Sequence, residues 1–206
     1  METRVAELIG VMLGDGSIGI YKRKDRSSKQ FRLKITLNSE KDLKYSYYLS
    51  DLINEIFGVR PLRYLRKNEK TLDLIITKQH VINKLLDLGL KKSPKHQRAV
   101  IPRGFLQKEL SLKVLRGYMD TDGCITVFNN NGSIYPRIEM KICPSPMQKQ
   151  FIRILEKNGF EPRVNNIGNG KKRIMLAGVK KIRQWDRLIG FSNSRNLKIA
   201  KKFTEE

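Results

Sequence analysis

The sequence is poor in the residues that bind zinc or cross-link a chain. Its 206 residues include two cysteines and two histidines, whereas a structural zinc site usually takes four cysteine or histidine ligands. A disulfide would require Cys124 and Cys143 to face each other. A two-residue hairpin turn at Asn131 and Gly132 would instead place Cys124 opposite Glu139. The sequence therefore argues against a structural zinc site and predicts two free thiols.

Long apolar segments are absent as well. No apolar run in the sequence approaches the roughly 18 residues that a membrane-spanning helix needs. The first residues do not form the charged and then apolar pattern of a signal peptide. We therefore expect an intracellular protein, in the cytoplasm or nucleoid, that has no membrane partner.

Acidic residues are scarce relative to basic ones. The chain has 42 lysines and arginines against 20 acidic residues, which gives a formal net charge of +22. The basic residues are spread along the chain, so we expect a folded surface that binds an anionic partner. Nucleic acid is the first candidate, because its phosphates release condensed counterions when lysines and arginines neutralise them. The charge alone also allows a ribosomal or chromatin-like packing protein.

The chain contains an internal repeat. Its length allows one mid-sized domain or two small ones, and the repeat favours two halves, residues 1–105 and 106–206. Three segments recur in order: Leu8–Ile18 as Leu115–Ile125 at an offset of 107, then Phe57–Pro61 as Asn158–Pro162 and Asp87–Leu90 as Leu188–Phe191, both at an offset of 101. The offset shrinks by six residues, and a helix shorter by about one turn in the second half accounts for much of this difference.

Each half shows the same hydrophobic periodicity. Apolar residues at helical spacing predict a helix at residues 4–14 and at its counterpart before Asp122. Two segments of alternating polarity follow and predict strands with one buried face. Further helices are expected at residues 39–56 and 146–157, and a last helix near Thr77 or Val179. The order helix, strand, strand, helix, strand, strand, helix predicts an α+β fold, with an antiparallel sheet and helices on one face of it in each half.

The open sheet faces are polar and mostly basic. Side chains of this kind can contact base edges and phosphates in the major groove of DNA, as β-ribbon proteins do. The candidate DNA-binding residues are Tyr21, Arg23, Arg32, Lys34, Thr36 and Asn38 in the first half, and Thr126, Phe128, Arg137, Glu139 and Lys141 in the second.

Both copies of the first repeated segment end an apolar helix with an Asp-Gly pair. The glycine fits a helix that stops in the left-handed conformation. The aspartates, Asp15 and Asp122, face the negative end of the helix macrodipole, which costs about 0.3–1 kcal/mol at exposed sites. A divalent cation would offset this cost, since Mg²⁺ is commonly held by one or two carboxylates, water and substrate phosphate.

Small residues recur four positions apart on the two motif helices, at Gly10 and Gly14 and at Gly117 and Thr121. Glycine inside a helix costs roughly 1 kcal/mol relative to alanine, and close backbone contact between helices would compensate for this cost. If the helices pack side by side on these faces, their C-terminal ends emerge together. The two aspartates would then be neighbours, and would bind cations between them for phosphodiester hydrolysis.

The segment Leu115–Gly123 resembles the signature of the LAGLIDADG homing endonucleases, and Leu8–Gly16 resembles a looser copy of it. The resemblance covers essentially the whole chain. It implies a saddle-shaped, pseudo-twofold monomer that grips the major groove of a long, asymmetric DNA site. It also implies cleavage across the minor groove to leave 3′ overhangs, and a gene within an intron or intein. Because the splicing residues of an intein are not seen, we expect a free-standing or intron-encoded protein. The implied ligands of Mg²⁺ are Asp15 and Asp122, helped by the backbone carbonyls of Gly14 and Thr121.

The sequence departs from the family pattern at the end of the second strand. Many members have a glutamine there, where this chain has Leu37 and Ile142, and Asn38 is the nearest substitute. Members also keep a basic residue near the site. The candidates here are Lys78, Lys141 and Lys180, for each of which a surface or phosphate-contacting role is the alternative.

Two other functions are compatible with the same fold and charge. One is an RNA maturase that assists splicing of intron RNA, and the other is a DNA-binding regulator without cleavage. Retention of both aspartates favours the nuclease, because a pure binding protein has no evident need for paired carboxylates facing a polyanion. A nucleic-acid packing protein would show no metal dependence and little sequence preference.

Overall fold

The computed structural model describes residues 1–22 and 28–205. The first half contains α1 (Glu2–Leu13), β1 (Gly16–Lys22), β2 (Lys29–Asn38), α2 (Leu43–Phe57), β3 (Leu62–Leu65), β4 (Thr71–Ile76) and α3 (Gln79–Asp87). A 3₁₀ turn at Arg103–Phe105 leads into the second half, which contains α4 (Lys108–Asp122), β5 (Gly123–Asn130), β6 (Ser133–Ile142), α5 (Met147–Lys157), β7 (Arg163–Asn166), β8 (Lys172–Ala177), α6 (Val179–Leu188) and α7 (Ser194–Thr204). The predicted order of elements is confirmed in both halves, and α7 is an additional helix that the repeat does not predict.

Each half forms its own antiparallel sheet of four strands. The strand orders are β1-β2-β4-β3 and β5-β6-β8-β7. Gly16 pairs with Ile35, and Gly123 pairs with Met140. Because Gly16 and Gly123 are equivalent in the repeat, Ile35 and Met140 are equivalent as well. Both lie in the hydrophobic core, which confirms the predicted burial of one sheet face.

The shortening of the second half has the predicted cause. Helix α2 has 15 residues and its counterpart α5 has 11, so the helix accounts for four of the six missing residues. The other two are lost between the paired strands, since the segment from Gly16 to Ile35 is two residues longer than the one from Gly123 to Met140.

The two motif helices, α1 and α4, pack directly on each other through glycine. A Cβ atom added to Gly10 would lie 2.1 Å from the carbonyl oxygen of Val114, and one added to Gly117 would lie 2.1 Å from that of Glu7. The two contacts are related by the offset of 107, because Gly10 matches Gly117 and Glu7 matches Val114. The glycines therefore permit a backbone approach that a side chain at either position would block.

Glycine is required after each aspartate for a different reason from the one expected. Gly123 has extended backbone angles, φ −100° and ψ 167°, and the φ of Gly16 also lies outside the left-handed region. The expectation of a left-handed helix end was wrong. Glycine is required instead because a Cβ on Gly16 would lie 2.5 Å from Cα of Met12, and one on Gly123 would lie 2.6 Å from the carbonyl oxygen of Met119.

The second hairpin has the predicted turn. Asn131 and Gly132 both have positive φ, 48° and 85°, as the favoured two-residue hairpin turn requires. Cys124 consequently pairs with Glu139. Both cysteines are free thiols, which confirms the prediction.

A buried polar cluster joins the halves on one side of the motif helices. Glu7 is fully buried and forms an ion pair with Arg116. The hydroxyl groups of Tyr48 and Ser192 donate to Glu7 Oε1 at 2.9 and 2.6 Å. The charge of Glu7 is thus compensated by groups from α2, α4 and the segment before α7.

Within residues 1–22 and 28–205, no helix combines the length and apolar character needed to cross a membrane.

Candidate active site

The packing of the motif helices brings the two aspartates together. Asp122 is the last residue of α4, and Asp15 lies between α1 and β1. A Cβ built on Gly14 would lie 2.2 Å from Thr121 Oγ1 and 3.5 Å from Asp122 Oδ2. The carboxylate of Asp122 therefore lies against the backbone that immediately precedes Asp15.

The electrostatics of the two carboxyl groups show that they repel each other. Desolvation, followed by the charge of Asp122, raises the pKa of Asp15 to about 7. Desolvation also raises the pKa of Asp122, and the positive charge of Lys95 opposes this rise. The residue Asp122 is nevertheless open to solvent. The pair is thus enclosed enough to disfavour two negative charges and open enough to admit a ligand that would compensate them.

Lys95 lies at the end of the first motif helix and was not among the lysines expected from the sequence. Its Nζ donates to the carbonyl oxygens of Met12, Leu13 and Gly14 at 2.8, 2.9 and 2.7 Å. Burial lowers the pKa of Lys95 to about 8, and the charges of Asp122 and Asp15 oppose this effect. A cation here neutralises carbonyl groups that the helix leaves without partners.

The expected carbonyl ligand Gly14 and its neighbour Thr121 lie at this junction. The carbonyl oxygen of Gly14 accepts the hydrogen bond from Lys95. The Thr121 hydroxyl donates back into its own helix, 3.1 Å from the carbonyl oxygen of Gly117 and 3.0 Å from that of Tyr118. A cavity of about 200 Å³ adjoins them, lined by Gly14, Lys95, Tyr118 and Asp122 among others.

The structure places Asn38 at the end of β2, where the turn that leads to α2 begins. Its Oδ1 accepts hydrogen bonds from the backbone N–H groups of Glu40 and Lys41 at 3.0 and 2.8 Å. The amide oxygen is therefore already engaged in an Asx turn.

The three predicted lysines lie in different places. Lys141 is exposed on β6, and its carbonyl oxygen accepts a hydrogen bond from Tyr118 at 2.8 Å. Lys78 precedes α3, and Lys180 lines an open groove with Gln184 and Arg187 on α6. The lysine whose charge acts most strongly on Asp15 and Asp122 is Lys95.

Comparison with known proteins decides the family. A family model described as the LAGLIDADG DNA endonuclease family matches residues 6–180. The chain belongs to this family. No curated protein matches the sequence significantly.

Solved structures of LAGLIDADG proteins share the fold. The complex of I-DmoI with DNA and Ca aligns with a TM-score of 0.68 at 14% identity, over 100% of this chain and 98% of that chain. The complex of I-DmoI with DNA and Mn gives 0.66 at 16% identity, over 93% and 98%. I-LtrWI bound to target DNA gives 0.66 at 14% identity, over 99% and 89%. At these identities the comparisons establish the LAGLIDADG fold for this chain.

The open sheet faces of this LAGLIDADG protein hold two arginines on aromatic rings. The guanidinium of Arg32 lies 5.2 Å from the ring centre of Tyr21 and donates to its hydroxyl at 3.1 Å. The guanidinium of Arg137 lies 4.5 Å from the ring centre of Phe128. The two pairs occupy equivalent positions, and such contacts restrict the arginine before any ligand arrives. Arg23, predicted on the same face as Tyr21, lies outside the described residues.

Three other predicted residues of the faces, Lys34, Thr36 and Thr126, lie close to acidic side chains. Thr36 Oγ1 donates to Asp73 Oδ1 at 2.8 Å, and Lys34 Nζ lies 4.0 Å from Asp73 Oδ2. In the second half, Thr126 Oγ1 donates to Glu139 Oε1 at 3.3 Å. Within the part of the chain that the structure describes, an acidic residue therefore lies among the basic and polar groups of each face.

The LAGLIDADG junction offers carboxylates but not a complete metal shell. In the described parts of the chain, no group of three or more histidine, cysteine, aspartate or glutamate side chains could hold a metal ion. Two repelling carboxylates fit a hard cation such as Mg²⁺, which commonly takes one or two protein carboxylates and completes its shell with water and phosphate. The donor set therefore suits a cation that is bound together with a nucleic-acid substrate.

Proposed function

We propose that this protein is a site-specific homing endonuclease that makes a double-strand break in a long, asymmetric DNA site. The observation that carries the proposal is the junction of Asp15 and Asp122 at the ends of two glycine-packed helices. Each half contributes one carboxylate, so each half serves one DNA strand. The solved relatives include complexes with DNA and Mn or Ca, which supports the same class of substrate here.

Asp15 and Asp122 would hold divalent ions, with Mg²⁺ as the expected cofactor and the carbonyl groups of Gly14 and Thr121 as further ligands. When bound, such ions lower the pKa of the attacking water and stabilise the leaving oxygen of the phosphodiester. The carboxylates provide negative charge at the junction, and their repulsion and desolvation favour any positive charge that compensates it, whether a metal ion or a proton.

We assign to Lys95 the role of the basic residue beside the two aspartates. Its ammonium group is fixed by the carbonyl oxygens of Met12, Leu13 and Gly14, and its charge acts on both aspartates. A cation in this place lies where it can stabilise negative charge that develops at the phosphate. Lys141 is the second candidate on the DNA side, while Lys78 and Lys180 are better suited to surface contacts. Asn38 contributes chiefly by shaping the turn before α2.

The two sheet faces would bind the DNA on either side of the cut. Tyr21, Arg32, Lys34, Thr36, Thr126, Phe128, Arg137, Glu139 and Lys141 face away from the core on these sheets. Arginine and lysine among them suit phosphates and guanine edges. One chain supplies both faces and both carboxylates, so a monomer is sufficient.

The experiment that tests the proposal is a cleavage selection on a randomised library of double-stranded DNA, run in parallel with Mg²⁺ and with EDTA. We expect one long site to be enriched among the cut molecules with Mg²⁺, and no cutting with EDTA. Specific retention of DNA without cutting in either arm would instead identify a non-cleaving binding protein. An RNA maturase would require binding of a structured intron RNA, so a folded intron RNA is included as a competitor.

A further inference from the structure

Two charged pairs of opposite polarity lie at equivalent positions on the two sheet faces. Lys34 pairs across the hairpin with Ser17, and Glu139 pairs with Cys124. Ser17 and Cys124 each follow an Asp-Gly motif, so Lys34 and Glu139 are equivalent.

The partners on the next strand are equivalent by the same register. Asp73 pairs with Thr36, and Arg173 pairs with Lys141. Thr36 and Lys141 lie two residues after Lys34 and Glu139. The first half therefore places its positive charge on β2 and its negative charge on β4, and the second half reverses this arrangement on β6 and β8.

The pair in the first half is closed. The carboxylate of Asp73 accepts hydrogen bonds from Thr36 Oγ1 at 2.8 Å and from Arg66 Nε and Nη2 at 2.9 and 3.3 Å. Asp73 is only 4% exposed. Its acceptor capacity is largely used within the protein, so its role is to hold Arg66 and Thr36 in place.

In the second half Glu139 is also buried, at 8% exposed, but the pair leaves hydrogen-bonding capacity unused. Among the described residues, the carboxylate of Glu139 accepts one side-chain hydrogen bond, the long one from Thr126 at 3.3 Å. Its Oε2 lies 3.7 Å from Arg173 Nε, which is beyond hydrogen-bonding distance. Arg173 Nε is itself buried without a hydrogen-bond partner. Acceptor and donor capacity thus remain unused on the face that is expected to meet the DNA.

A carboxylate on such a face has a narrow choice of DNA partners. It repels phosphates and has no hydrogen to donate when ionised. In the major groove it can accept only from the amino groups of cytosine N4 or adenine N6, whereas lysine donates to guanine O6 and N7. An acidic residue here weakens non-specific binding of a protein with charge +22, and recognition of a base would offset this cost.

We propose that Glu139 is a specificity-determining residue that reads an amino group of cytosine or adenine in the second half-site, whereas Lys34 reads a guanine edge at the equivalent place in the first half-site. This inference rests on the proposed function and deepens it. The two half-sites should therefore differ at this corresponding base pair, because one face of the protein presents a hydrogen-bond donor there and the other face presents an acceptor.

The test compares binding and cleavage profiles of the wild type and Glu139→Gln on the selected site, with every base pair varied singly. We expect the preference at one base pair of one half-site to fall by about tenfold or more, the range of one good base contact, while the other positions keep theirs. The matched control is Glu161→Gln, which changes the net charge equally. Glu161 is exposed and pairs with Lys181 on α6. The base-pair preferences of Glu161→Gln should therefore match those of the wild type.

A second variant separates base reading from charge and from folding. Glu139→Asp keeps the charge but withdraws the carboxylate by one methylene, and we expect the same base pair to lose its preference with an unchanged melting temperature. Profiles of both variants that superimpose on that of the wild type would overturn the inference while leaving the endonuclease intact. A wild-type protein that enriches no DNA site would overturn the proposed function, and the inference with it.

Discussion

Lys95 and Asn196 occupy equivalent places in the two halves, 101 residues apart, and contact equivalent carbonyl oxygens. Lys95 Nζ donates to the carbonyl oxygen of Met12 at 2.8 Å, and Asn196 Nδ2 donates to that of Met119 at 3.4 Å. Asn196 also donates to Asp120 at 3.2 Å and is buried. The carbonyl groups at the end of the first motif helix therefore contact a cation, and those at the end of the second contact a neutral amide. The two motifs nevertheless carry equivalent carboxylates, Asp15 and Asp122.

This difference predicts a specific effect of Lys95→Gln. Cleavage in single-turnover assays should fall by about 10- to 100-fold, because one fixed positive group at the site is lost. DNA affinity should change less than about threefold. Lys91→Gln is the control, since Lys91 is exposed in the same loop and should affect neither quantity. Equal losses for both variants would show that Lys95 acts only as one surface charge among many.

Asp15→Asn and Asp122→Asn should each abolish double-strand cleavage, lowering its rate by at least about a thousandfold, because each removes a metal-holding carboxylate. DNA binding should remain largely intact, since neither residue belongs to the sheet faces. Single-turnover cleavage and gel-shift measurements on the same DNA check both expectations. A double variant that still cuts DNA would remove these residues from the site.

The raised pKa of Asp15 predicts how stability depends on pH in the metal-free protein. Its pKa is about 7 in the folded state and near 3.8 when unfolded, so the folded state binds the proton more tightly. The stability that this confers is present at low pH and is lost as the pH rises toward 7. Asp15→Asn should therefore raise the melting temperature at pH 8 by a few degrees, at about 2–4 °C per kcal/mol. The gain should shrink at pH 4, and an equal gain at both pH values would contradict this origin.

Gly10→Ala and Gly117→Ala should each destabilise the protein by about 3 kcal/mol, the upper end of overpacking costs, since the new methyl group meets backbone atoms that cannot rotate away. Gly104→Ala is the matched control, because a Cβ there meets nothing within 4 Å. Denaturant unfolding measures the three variants. A loss for Gly104→Ala as large as for the other two would show that the motif-helix contact is not the cause.

Binding should depend steeply on salt. Log affinity is expected to fall by about 0.9 for each neutralised phosphate per decade of salt. For six to ten phosphate contacts this amounts to about 10³- to 10⁵-fold between 50 and 200 mM salt. Fluorescence anisotropy over that range measures the slope, and a flat response would argue against binding through the basic faces.

The elements that could be predicted from sequence are those that local periodicity determines. The spacing of apolar residues in α1 and the alternation around Leu33 and Ile138 depend on which face is buried, and a sequence records that directly. The two Asp-Gly motifs were visible because they recur at a fixed offset. The close approach of Gly10 and Gly117 followed from small residues at helical spacing.

The role of Lys95 could not be predicted in this way. It lies in a loop with several other lysines, where no periodicity distinguishes one from another, and its counterpart Asn196 breaks the repeat. Its contacts depend on how the loop folds over the end of α1, which is a tertiary property. Asn38 illustrates the converse, since its position suited a site residue but its side chain is engaged by the local backbone of a turn.

The buried contact of Glu7 with Arg116 has a consequence for the halves taken separately. In the repeat Glu7 matches Val114 and Arg116 matches Ile9. The interface between α1 and α4 therefore has a charged contact on one side and apolar residues at the equivalent positions on the other. Two copies of the first half would bury two carboxylates against isoleucine, and two copies of the second half would bury two guanidinium groups against valine. Expressed as separate polypeptides, the halves would therefore assemble as a heterodimer in preference to either homodimer.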